Sequence, residues 1–109
     1  MNTRRQGAVG IGRAIAYYSA KGYAVFVPVS DVSRFDLVVD TGEQLLRVEV
    51  KTTSRDNGTT QLRTYTWSGE VKRVSTEDCD IVFIVNLNTG TEHEYPSAEL
   101  HGRANIRVS

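Results

Sequence analysis

Residues Ser33–Asp40 read S-R-F-D-L-V-V-D and Leu46–Lys51 read L-R-V-E-V-K, with D-T-G-E over Asp40–Glu43 between them. Two runs rich in β-branched residues around a glycine-containing turn are a β-hairpin signal. The pattern predicts strands over Phe35–Val39 and Leu45–Thr52. Side chains alternate across a strand, so Glu49 and Lys51 share one face, about 7 Å apart along it. Leu46, Val48 and Val50 point to the other face and are available for burial. The hairpin brings Asp36 close to Glu49 and Lys51, on their face if the register allows.

Outward from the hairpin, Ala8, Ile11, Ile15 and Tyr18 recur at helical spacing and predict a helix from about Arg4 to Lys21, stopped by Gly22. Gly7, Gly10 and Gly12 weaken its first turns and imply a close approach by something there. Tyr23–Val29 reads as a strand ending near Pro28, and Gln61–Trp67 alternates as another, with Tyr65 and Trp67 on one face. Asp80–Leu87 is nearly all apolar, as suits a strand buried on both faces. A turn at Asn88–Gly90, a short strand near His93–Tyr95, a short helix S-A-E-L after Pro96 and an extended Asn105–Val108 complete the chain. The expected architecture is α/β: one domain over residues 1–109, a mixed central sheet flanked by an N-terminal helix and a short C-terminal helix.

The 109 residues are 39% hydrophobic and 24% charged, which suits a globular chain and not a disordered one. No apolar run approaches the roughly 20 residues of a membrane span, and M-N-T-R-R-Q-G lacks the apolar core of a secretory signal. Cys79 is the sole cysteine, which excludes an internal disulfide and a multi-thiolate zinc site. A reducing, cytoplasmic setting without membrane association is expected. Net charge is +0, yet Arg4, Arg5, Arg13 and Lys21 stand in a first segment with no acidic residue, and acidic residues gather later. That asymmetry suits either a phosphate-bearing partner or a merely solvated surface. His93 and His101 are too far apart in sequence to form a local ligand pair.

The hairpin also carries the chemistry. Two carboxylates held close repel unless a positive charge lies between them, and a divalent cation with oxygen ligands from Asp36, Glu49, a backbone carbonyl near Val50 and water is the economical answer. Lys51 beside it can hold an attacking water or neutralise a phosphoryl oxygen. Such a set suits metal-assisted phosphodiester hydrolysis with Mg²⁺, or Mn²⁺ in its place, and no organic cofactor. E-x-K by itself reads more readily as a surface ion pair; Asp36 at the matching hairpin position is what raises the chemical reading to equal standing.

These residues resemble the PD-(D/E)XK nuclease superfamily, whose pattern is a helix followed by a hairpin carrying D…(D/E)-x-K. R-R-Q-G-A-V at Arg4–Val9, K-G-Y-A-V at Lys21–Val25, S-R-F-D-L-V-V and R-V-E-V-K-T resemble archaeal-type Holliday junction resolvases and group I intron-associated endonucleases. Asp80 opening a buried strand, with Tyr95-Pro96 after the next turn, is similar to the second group. The resemblance implies a restriction-endonuclease-like core, Asp36 and Glu49 as metal ligands and Lys51 as the catalytic lysine. It implies a DNA endonuclease acting on branched DNA such as a four-way junction; the alternatives are a site-specific endonuclease or a binding module that has lost catalysis. A domain this small grips little duplex and cutting two strands needs two active sites, so a symmetric homodimer is expected. Arg4, Arg5, Arg13, Ser33, Arg34, Thr52, Arg55 and Gln61 are the candidate DNA contacts. One departure stands out: such relatives place a glutamate in the first helix where this chain has Ile11. Water, Asp31 or another subunit would have to replace it.

Overall fold

The computed structural model describes residues 1–30, 33–65 and 68–109, with Thr64 and Tyr65 described by backbone alone. Helix α1 spans Thr3–Ala20. Asn2 caps it, its side chain accepting the Arg5 N–H at 2.8 Å. Gly22, at φ +84°, takes the left-handed turn that ends it. Among the described residues follow β1 (Ala24–Phe26), β2 (Leu37–Asp40), β3 (Leu45–Thr53), β4 (Thr59–Gln61), β5 (Thr64–Tyr65), β6 (Val71–Lys72), β7 (Ile81–Asn86), β8 (Thr91–Pro96), α2 (Ser97–Leu100) and β9 (Asn105–Arg107). No described helix is long and apolar enough to cross a membrane.

Five strands form the central sheet in the order β1-β2-β3-β7-β8. β3 and β7 run parallel and the other neighbours antiparallel, so the sheet is mixed as expected. A parallel pair needs a crossover. The segment between Thr53 and Ile81 provides it, and on the way it builds the β5–β6 pair and the β4 half of a ribbon with β9. The D-T-G-E hairpin closes with the Thr41 N–H on the Gln44 carbonyl at 3.0 Å and the Gly42 N–H on Asp40 Oδ1 at 2.8 Å.

The first hairpin strand starts later than expected, at Leu37 and not Phe35, and two other expected strands differ more. Tyr23–Val29 shortens to Ala24–Phe26, because Pro28 cannot donate to a ladder. Gln61–Trp67 divides: β4 pairs with β9, Leu62 turns inward, and β5 pairs with β6 instead.

The sheet carries a core on each face. Toward α1 lie Ala14, Tyr18, Leu37, Val39, Val48, Phe83 and Val85. On the opposite face lie Leu62, Val74, Cys79, Val82, Ile84, Leu100, Ile106 and Val108, drawn from the sheet, the crossover, α2 and β9. Fully burying side chains of this kind stabilises the fold by about 1.5–3 kcal/mol each. Tyr18 lies inside its cluster, and its hydroxyl reaches Glu94 at 2.5 Å; burial and that carboxylate push the phenol above its usual range. The close approach expected at the α1 glycines is found at Gly10, where a Cβ would stand 2.6 Å from Thr52 Cγ2 and 3.1 Å from Val50 Cγ1. Gly7 and Gly12 face open space.

Gly58 fastens the end of β9. Its carbonyl accepts the Val108 N–H at 3.0 Å, its φ is +74°, and a Cβ there would fall 1.8 Å from the Val108 oxygen. Gly42 also has positive φ (+93°) but nothing within 4 Å. Gly42→Ala is therefore expected to cost about 1–2 kcal/mol from backbone strain alone. Gly58→Ala should cost about 3 kcal/mol or more, because the β9 backbone must also move. Urea unfolding of both variants checks the order; equal losses would contradict this packing.

Candidate active site

Asp36 sits one residue ahead of β2 and extends its ladder. Its N–H donates to the Val48 carbonyl at 2.8 Å, and its Oδ2 accepts the Val50 N–H at 2.6 Å. The β2–β3 pairing runs out there, since its last paired residues are Leu37 and Val48. The Val50 carbonyl therefore lies just past the end of the β2 ladder. Val48 packs under α1, so Glu49 and Lys51, by alternation, turn to the opposite face. Lys51 Nζ stands 3.2 Å from Glu49 Oε1, and the two side chains are only 15% and 16% exposed. Leu37 also faces α1, which puts Asp36 on the side of Glu49 and Lys51.

Cys79 lies against this group from the turn before β7, its thiol donating toward Glu49 Oε2 at 3.8 Å. Both Glu49 oxygens thus have partners. Burial, then the Glu49 charge, pushes the Cys79 thiol up to about 12, so it stays protonated and is no thiolate ligand. Asp36 is affected differently: burial raises its carboxyl, while the Val50 N–H and the Lys51 charge pull the other way without winning.

Arg47, on the same face of β3, holds the turn that carries Cys79. Its guanidinium donates to the carbonyls of Glu77 at 2.6 Å and Thr76 at 3.1 Å, while its Nε and one terminal nitrogen, each at 3.1 Å, and its backbone N–H, at 2.8 Å, grip the Asp80 carboxylate. Those bonds keep Asp80 below the usual carboxylate range. Neither Arg47 nor Cys79 is marked as part of the site by the sequence. The alternation of L-R-V-E-V-K puts Arg47 on the right face, but nothing local indicates that residues near Asp80 pack there.

The donor set suits a hard divalent cation. Among the described residues no cluster of three or more His, Cys, Asp or Glu side chains could hold a metal. The available donors are two carboxylates, Asp36 and Glu49, with the Val50 carbonyl. A Mg²⁺-type ion that keeps several waters and binds through one or two carboxylates fits such a set.

The other sequence candidates scatter. Ile11 packs into the α1-side core, so α1 brings no carboxylate to the site. Arg4 and Arg5 are exposed on the first turns of α1, in the layer across the sheet. Arg13 is tied to β8, with Glu92 Oε2 at 3.0 Å and the Gly90 carbonyl at 2.7 Å. Thr52 turns under α1 against Gly10, away from Lys51. Ser33 and Arg34 are exposed on the approach to Asp36, and Arg34 pairs with Asp78 at 3.5 Å. Arg55 is exposed beyond β3, and Gln61 lies on the outer side of β4. Asp31 and Trp67 lie outside the described residues, as does the Tyr65 side chain.

The pH dependence of Asp36 gives a direct check. A carboxyl whose folded value is raised above its ordinary 3.8 binds its proton more tightly in the native state. Stability is then fully present below the unfolded value and is lost as pH rises through the folded one. Asp36→Asn keeps an acceptor for the Val50 N–H without the charge. It should unfold at higher urea than the wild type at pH 7, and the gap should close near pH 3.5. An equal gap at both pH values would contradict a strained carboxylate.

Comparison with known proteins identifies the family and matches the fold. The family described as PD-(D/E)XK endonuclease matches residues 1–107. A solved bacterial homing endonuclease, I-Ssp6803I, superposes over 100% of this chain and 79% of its own, with a TM-score of 0.83 at 20% identity, a likeness of fold. No curated protein matches by sequence. With its mixed sheet, its hairpin carrying Asp36, Glu49 and Lys51 on one face, and a family match over nearly its whole length, the chain belongs to the PD-(D/E)XK endonuclease family.

Proposed function

We propose that this protein is a divalent-metal-dependent DNA endonuclease that cuts linear duplex at preferred sequences and works as a symmetric homodimer. The observation that carries the reading is the convergence of Asp36, Glu49 and Lys51 on one face of β3 and its neighbour. Asp36, Glu49 and the Val50 carbonyl would hold Mg²⁺ or Mn²⁺. Such an ion, when bound, polarises a phosphoryl oxygen and lowers the pKa of a coordinated water.

The chain's own groups do the rest. The Val50 N–H fixes the orientation of the Asp36 carboxylate. Lys51 and Cys79 hold Glu49 from its two oxygens. Lys51 presents an ammonium that donates to the attacking water or to a non-bridging phosphate oxygen, favouring in-line attack. The missing helix carboxylate is left to water.

Two DNA classes suit a nuclease of this kind, a four-way junction and a linear site. The structural neighbour, a homing endonuclease, supports the duplex reading as an analogy of fold. Cutting both strands requires two sites, which a two-fold dimer supplies. The exposed Phe26 and Val27 at edge strand β1 offer one apolar surface for it.

Labelled duplex, junction and single-stranded DNA, each with Mg²⁺, Mn²⁺ or chelator, test the reading. Metal-dependent duplex cutting is expected, slowed about 100-fold or more by Lys51→Ala and by Glu49→Ala. Cutting of the junction alone would restore the junction substrate. Undiminished cutting by both variants, or none by folded wild type, would overturn the nuclease assignment.

A further inference from the structure

The ribbon of β4 and β9 has two unlike faces. Thr60, Leu62, Ile106 and Val108 turn inward and are buried. Thr59, Gln61, Asn105 and Arg107 therefore turn outward, in register as the cross-strand pairs Thr59–Arg107 and Gln61–Asn105. Gln61, Asn105 and Arg107 are exposed, and this outer face bears no acidic side chain. The Leu62 N–H on the Ala104 carbonyl, at 2.9 Å, extends the pairing toward Arg63 and Arg103, both exposed. Among the described residues, none of Arg63, Arg103 and Arg107 enters an ion pair.

The ribbon rests on the face that carries the candidate site. Thr53 Oγ1 donates to the Thr59 carbonyl at 2.7 Å, and Asn86 Nδ2 to the Val108 carbonyl at 3.4 Å. Thr53 lies two residues beyond Lys51, about 7 Å along β3. A duplex with a phosphate at Lys51 would thus present a groove within a few base pairs of the ribbon.

We infer that the outer face of the β4–β9 ribbon enters the major groove of duplex DNA and reads base edges beside the cleavage point, through Gln61, Asn105 and Arg107. This deepens the duplex-nuclease reading and rests on it. The major groove admits a two-stranded ribbon, Gln and Asn pair bidentately with adenine, and Arg pairs with guanine. Residues two apart on a strand repeat every 6.8 Å or so, close to two base-pair steps. Arg63 and Arg103 flank the readers as phosphate contacts, which position without specifying.

Binding selection on a duplex library with a randomised centre tests this, using the full chain in a Lys51→Ala background so that the DNA stays intact. Gln61→Ala, Asn105→Ala and Arg107→Ala run beside it, with folding checked by circular dichroism. Each change is expected to lower the preference at its own position by about tenfold while the rest of the motif persists. Gln61→Glu should move its position from adenine toward cytosine. An unchanged motif in every variant, a uniform loss of binding with the motif intact, or no motif with the ribbon unsubstituted would each overturn the ribbon assignment. Cutting by protein with Lys51 intact is scored separately. Lysine-dependent cutting without a motif defeats the ribbon alone, and a ribbon-dependent motif without cutting defeats the nuclease reading alone.

Discussion

The hydrogen bond from the Val50 amide to the Asp36 carboxylate is the contact on which the site depends. It adds one side-chain rung to the β2–β3 ladder where the backbone pairing ends. That rung places a carboxylate from one strand beside the Glu-x-Lys of the next. Because side chains alternate with period two, a slip of one residue would send Asp36 beneath α1 and Leu37 out of the core. The apolar residues Leu37, Val39 and Val48 under the helix hold the register that serves the charged face. Core packing on one side of the sheet thereby sets the arrangement of the charged groups on the other.

The charged face is arranged around an imbalance. Asp36 is buried enough that desolvation outweighs its amide and Lys51, whereas Glu49 is held between Lys51 and a protonated thiol. A carboxylate kept under these conditions costs stability without a cation, and active sites commonly carry such a cost. Arg47 contributes at one remove. By gripping Asp80 and the carbonyls of Thr76 and Glu77, it fixes the turn from which Cys79 reaches Glu49.

The hairpin and its face are legible in the sequence because period-two alternation is a local signal, and D-T-G-E marks its turn. The α1 boundaries are legible for a similar reason, with Gly22 as the stop. What escapes a sequence reading depends on distant partners. Gln61–Trp67 shows its alternation but not that β4 pairs with β9. Nothing near Cys79 reveals Glu49 as its neighbour. Thr52 follows Lys51 in sequence, yet the same alternation that turns Lys51 to the site turns Thr52 toward Gly10. Ile11 stands where relatives are expected to carry a glutamate, and here it serves the core.

The proposed cation site rests on Asp36 and Glu49, with the Val50 carbonyl, as the hairpin places them. Calorimetric titration of Mn²⁺ into the DNA-free protein tests it most directly. Saturable binding by the wild type, lost in a folded Asp36→Ala variant, is the predicted result. Binding of equal strength in the variant would contradict it.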